Sequence, residues 1–200
     1  MGLVGQVLPP PDGAALEFGA CGVAAQQNRG QWLVRRYGLG MFDGDEVVLG
    51  PLPKGIVRAG EGQHRRVWNV LGHTYWARAV SESSFAFETL DPPGTGVPPH
   101  VHPTQDEHIH VLAGVFTLYL DGQWETAGPG DTVLMPRGLP HAYYNRTEAD
   151  SRALFWVSPT GKLAHLFDQL HDLSDPAEVV RQSALHDVEF LPPGSVPGAD

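Results

Sequence analysis

GTGVPPHVHPTQDEHIHVLAG (residues 94–114) and GPGDTVLMPRGLPHAYYN (residues 128–145) decide how this chain is read. His100 and His102 are two positions apart, so on an extended strand both side chains leave the same face. Glu107 follows across a short connection at residues 103–106, and Gly114 marks the end of that strand. In the second stretch Gly130, Pro136, Gly138, His141 and Asn145 recur in a turn–strand–turn–strand rhythm. Three imidazoles and a carboxylate on facing strands are the donor set of a first-row transition metal, borderline nitrogens with one hard oxygen anion.

The two stretches resemble the paired signature motifs of the cupin superfamily. The first reads Gly, five residues, His-x-His, four residues, Glu, six residues, Gly. The second reads Gly, five residues, Pro-x-Gly, two residues, His, three residues, Asn, and no position departs from either pattern. The resemblance implies that His100, His102, Glu107 and His141 bind one divalent metal per chain. Iron, manganese, nickel, cobalt, copper and zinc all tolerate such a set, so the sequence leaves the ion open. It also implies a double-stranded β-helix, the jelly-roll barrel.

The flanking sequence supports an all-β reading independently. Residues 65–80 give two strands broken at Leu71-Gly72, and residues 84–90 alternate Phe85, Phe87 and Thr89 on one face. Asp121-Gly122 predicts a tight hairpin between strands at 115–120 and 123–126. Further strands are expected at 107–112, 132–135, 142–145 and 152–157. Many short strands with Gly and Pro turns point to a barrel or sandwich. The period changes after residue 159. Leu163, Leu166, Phe167 and Leu170 form one apolar helical stripe, and Asp175-Pro176-Ala177-Glu178 reads as the capped start of a second helix ending near Leu185. The expected organisation is therefore a Gly/Pro-rich extension with extra strands at 1–65, a barrel at 66–158, and C-terminal helices with a tail at 159–200. Within the extension, strands are expected at 31–37 and 46–49.

Composition narrows the partners. The net charge is −10, and residues 66–200 carry seventeen acidic against seven basic side chains. With no basic stripe and no long apolar run, nucleic acid and membrane are excluded as expected partners. The single cysteine, Cys21, reads as a small buried hydrophobe, and with no secretory pattern at the start a cytoplasmic setting is expected. Barrel edges that need covering, together with the extension, predict a homodimer.

Three imidazoles and one carboxylate leave about two positions open on an octahedral ion, an arrangement suited to a substrate meeting O2 or water. Glu107 could act as ligand or as the base that takes the proton of an enolic hydroxyl. Phe85, Phe87 and Tyr143 face inward and are the candidate substrate contacts, whereas His108 and His110 alternate to the opposite face. Within the superfamily, the HAY sequence at 141–143 and the segment SPTGKLAHLFDQL (158–170) are most similar to bacterial monocupins of the flavonol (quercetin) 2,3-dioxygenase type. That resemblance implies a dioxygenase cleaving a flavonol-like or diketone-like substrate. The alternative is a ligand-binding or sensing cupin without turnover. A sugar-phosphate isomerase finds less support, because no Lys/Arg cluster accompanies the motifs.

Overall fold

In the computed structural model the described residues are the strands at 15–18, 23–28, 31–36 and 47–49 and the continuous chain 55–199. The chain divides into two compact units, Met1–Lys54 and Gly55–Asp200. In the first unit β1 (Ala15–Phe18), β2 (Val23–Asn28), β3 (Gln31–Arg36) and β4 (Val47–Leu49) form an antiparallel sheet in sequential order. β3 and β4 answer the strands expected there. β1 and β2 escaped notice because VAAQQN lacks the β-branched and aromatic alternation that marks a strand. Cys21 and most of the expected dimer-forming extension fall outside the described residues.

The second unit carries β5 (Val67–Val70), β6 (His73–Val80), β7 (Phe85–Asp91), β8 (Gly96–Val101), β9 (Asp106–Ala113) and β10 (Phe116–Leu120). They are followed by β11 (Gln123–Ala127), β12 (Thr132–Met135), β13 (His141–Tyr144), β14 (Ser151–Ser158), α1 (Leu163–Leu170), α2 (Pro176–Leu185) and β15 (Glu189–Phe190). One sheet has the order β11-β10-β13-β8-β15 and the other β12-β9-β14-β7-β6-β5. Consecutive strands often lie in different sheets, which makes the unit a double-stranded β-helix followed by two short helices.

Turn chemistry sets the register locally. Leu71 (φ 52) and Gly72 (φ 85) turn β5 into β6, and Asp121 (φ 46) and Gly122 (φ 83) turn β10 into β11. Paired positive φ values are those of the hairpin turn whose twist matches the strands. On β7 the inward face buries Phe85, Phe87, Thr89 and Asp91, as alternation requires. Phe87 stacks on Phe155 of β14 with ring centres 5.4 Å apart. Leu163, Leu166, Phe167 and Leu170 of α1 are all buried against this core. Burying one such side chain stabilises by about 1.5–3 kcal/mol, so the helix is held by its stripe and not by its short length. α2 starts as the sequence predicts, with Asp175 Oδ1 accepting from the backbone N–H of Ala177 at 3.0 Å. No described helix is long and apolar enough to cross a membrane.

Candidate metal centre

His100 sits near the end of β8 and pairs directly with His141, the first residue of β13. The register slips just beyond this pair, where β8 carries Pro98 and Pro99. Neither proline has an N–H to give to the ladder, so the pairing cannot run straight through them. Glu107 belongs to the other sheet, on β9, opposite Met135 of β12 and Val157 of β14.

His102 lies in the connection between the sheets and is fixed by its surroundings. Gly138 donates its backbone N–H to the His102 carbonyl at 2.9 Å. Its φ of 75 is a left-handed conformation that glycine adopts without steric cost. One residue before Glu107, the Asp106 carboxylate takes Arg137 Nε at 3.0 Å and Nη2 at 2.6 Å. This two-pronged pair ties the connection to the loop before His141.

The four side chains meet between the sheets, their candidate ligand atoms within 4.8 Å of one another. None is more than 4% exposed. Each imidazole spends its Nδ1 on an oxygen acceptor. His100 donates to Pro98 O at 2.8 Å, His141 to Leu139 O at 2.9 Å and His102 to Gln105 Oε1 at 3.1 Å. The Gln105 amide is oriented for this by donating its Nε2 to the carbonyls of Pro159 (3.0 Å) and Thr160 (2.7 Å).

A neutral ring protonated at Nδ1 presents a bare lone pair at Nε2. Yet Nε2 of His141 and of His102 lie 3.2 and 3.3 Å from Glu107 Oε2. Two acceptors facing an anion at contact distance repel, unless a cation sits among them or a ring takes a second proton. Burial opposes the proton. Desolvation, reinforced by His141 and His102, pushes the His100 imidazole well below its ordinary value. Desolvation also lowers His102, against the opposing pull of Glu107. The residues therefore fit a divalent cation.

Glu107 is pushed up by burial, but the His141 ring against its carboxylate and the neighbouring His102 and His100 outweigh this. Its carboxyl is held down at about 2.

The cavity at the cluster is walled by Tyr75, Phe87, Val97 and Tyr143 from the barrel and is covered by the buried stripe of α1 and by Phe190. Phe87 and Tyr143 thus line it, as expected from sequence. Phe85 does not. It packs in the core against Trp68, Phe87 and Phe167, with ring centres 6.0, 5.1 and 5.6 Å away. Facing inward is not the same as facing the site, because residues two apart are about 6.6 Å apart along a strand.

Tyr75 was missed. Its hydroxyl pairs with that of Tyr143 at 2.8 Å, and the inward alternation of His73, Tyr75 and Ala77 was the available signal. Burial pushes both hydroxyls well above the ordinary tyrosine range, so each remains a proton donor.

His108 and His110 face away from the cluster, as alternation predicts. His108 stacks on Trp156 at 4.7 Å, and His110 pairs with Thr132 Oγ1 at 2.9 Å. His73, given no weight from sequence, is fully buried, with Nδ1 2.6 Å from Asp91 Oδ1. Asn145 is structural, as read. Its amide donates to the Asp91 and Ala149 carbonyls, each at 2.7 Å, and its Oδ1 accepts from Thr147.

Residues 87–157 match the Cupin_2 family, a cupin domain. Protein SchB of Streptomyces halstedii is 29% identical over 105 residues, covering 51% of this chain and 76% of that protein. Quercetin 2,3-dioxygenase of Bacillus subtilis is 30% identical over 127 residues, covering 62% of this chain and 36% of the dioxygenase. The tetracenomycin polyketide synthase protein TcmJ of Streptomyces glaucescens is 27% identical over 67 residues, covering 34% of this chain and 45% of that protein. The two unbroken motifs, the double-stranded β-helix and the matching domain agree: residues 87–157 of this chain are a cupin domain.

Proposed function

We propose that the protein is a metal-dependent dioxygenase that cleaves an enolisable aromatic or diketone substrate, for which a flavonol is the model compound. The observation that supports this most is the convergence of His100, His102 and His141, each with Nδ1 occupied, on the Glu107 carboxylate inside an apolar pocket. A divalent ion held by these four residues would supply Lewis-acid polarisation of the substrate's enolic oxygen and leave positions open for O2. Glu107, ionised across the working pH range, takes the proton of the enolic hydroxyl. Phe87 and Tyr143 pack against the enolisable end of the substrate, and the covering helix keeps bulk water from its deprotonated form. The electron-rich enolate carbon then reacts with O2 and the C–C bond is cleaved.

A second reading uses the same enolate chemistry without oxygen, in processing a polyketide chain. It is favoured by the likeness to TcmJ, a polyketide synthase protein. Wild type and Glu107→Gln, each reconstituted with several divalent metals, separate the readings. Anaerobic wild type should shift the absorbance of a flavonol to its deprotonated form, and admitting O2 should bleach it with matching oxygen uptake. Glu107→Gln should lose most of both, since an amide is no base. A spectral shift with no oxygen uptake for any metal or enol rejects the dioxygenase and leaves the oxygen-independent reading. Neither shift nor uptake leaves a ligand-binding cupin.

A further inference from the structure

The cavity at the His/Glu cluster offers only about 50 Å³. About 10–15 Å³ of such space holds one water molecule, so no ring-bearing substrate fits the cavity as it stands. A second concavity of about 760 Å³ lies outside it, formed by the Leu71-Gly72 turn, the segment entering β8, the start of α2 and residues 190–193. That size is within the range of sites for small organic ligands, about 300–1,000 Å³. Leu71 and Phe190 line both spaces. The partition between groove and cluster is therefore one layer of side chains thick.

Both partition residues are unusually placed. The Phe190 ring lies 5.7 Å from the His100 ring, and its backbone pairs with His100 itself. β15, which carries it, is two residues long and sits at the edge of its sheet, so rotation of one side chain opens the wall without unzipping the barrel. Leu71 is held at φ 52, a left-handed conformation that disfavours branched residues and that a turn would normally fill with Asn or Gly. The strained turn places an apolar side chain in the partition.

The groove also has a chemical preference. Asp172 is the only charged lining residue among the described residues, and that carboxylate is already engaged by Asn69 Nδ2 at 3.0 Å. Val179, Val180, Leu173, Leu191 and several prolines and glycines make up most of the rest. With no cation among the described lining residues, a phosphate or carboxylate finds no partner there, whereas an uncharged ring system is well accommodated.

We propose that this groove is the outer subsite for the body of an uncharged, ring-bearing substrate, whose enolisable end reaches the His/Glu cluster past Phe190 and Leu71. Phe190 is thereby the residue that sets which substrates enter. The inference rests on the cluster being the reaction centre, and its test does not depend on turnover.

The full chain, stripped of metal, is titrated with 3-hydroxyflavone by fluorescence, and carbethoxylation of His100 is followed by peptide mass mapping. Val180 is 49% exposed, so Val180→Asp should leave the fold intact. Placing a carboxylate against the apolar ligand should weaken binding by at least about tenfold. Bound probe should protect His100. Phe190→Ala should speed His100 modification by about tenfold or more by removing the wall, while Phe190→Trp, which keeps the packing, should slow it.

The proposal is overturned if Val180→Asp binds the probe as wild type does, or if His100 modification ignores both Phe190 variants. It is also overturned if Val180→Asp dissociates a wild-type dimer that binds no probe, because the groove would then be an interface between copies. Should wild type hold no divalent ion while the probe and modification results stand, the reaction-centre reading fails and the groove survives. Oxygen uptake together with probe binding indifferent to Val180→Asp gives the reverse.

Discussion

At the scale of single residues, function depends on which nitrogen of each imidazole is occupied. Three oxygen acceptors take the three Nδ1 protons, and this aims Nε2 inward. His100→Ala or His141→Ala should therefore strip the metal, while His108→Ala and His110→Ala, on the other face of β9, should retain it. Gln105→Ala is expected to keep a metal site but lower its affinity by about 10–100-fold, the usual effect of losing a partner that orients a ligand. Metal content by mass spectrometry and competition with a chromogenic chelator measure both. Loss of metal in the His108 or His110 variants with retention in His100→Ala would overturn the ligand assignment.

At the scale of elements, the two C-terminal helices owe their places to different forces. Phe167 of α1 meets Trp68, Tyr75, Phe85 and Phe87 with ring centres 5.0–5.6 Å away. Phe167→Ala removes this ring from a packed core and should cost about 3–5 kcal/mol. Asp175 caps α2 through one exposed hydrogen bond, and Asp175→Ala should cost about 1 kcal/mol. Urea unfolding of the second-unit transition compares them, and equal costs would mean that α1 is not held by its stripe. The helices were legible as elements because stripe and cap are local patterns. Their place over the cluster was not, since it arises from contacts such as Trp68 Nε1 donating to Asp168, a hundred residues away.

For the whole molecule, the buried cluster makes stability depend on pH. His100 and His102 have folded values below 6.5, so the unfolded chain takes up protons first as pH falls through about 6.5. Glu107, lowered from 4.5 to about 2, extends the same trend, because its contribution is complete above 4.5 and lost toward 2. The metal-free protein should therefore melt at progressively lower temperature from pH 7.5 to 5, and a flat or rising melting temperature would contradict the burial of neutral imidazoles. We also propose that two copies pair partly through residues 1–65. Sedimentation should give a dimer at micromolar concentration, and a monomer unchanged by deleting those residues would reject it.

The motif spacing, read with the alternation of a strand, was enough to pick out His100, His102, Glu107 and His141 and to set His108 and His110 aside. Turn residues such as Asp121-Gly122 and the cap at Asp175 likewise announced themselves, because each acts on neighbours within a few positions. Only the tertiary structure separated Phe85 from Phe87, brought Tyr75 to Tyr143, paired His73 with Asp91 and closed the cluster beneath α1 and Phe190. Periodicity tells which face a side chain leaves from. How far along that face the site lies, and what covers it, depend on packing between residues far apart in the chain, which no local pattern encodes.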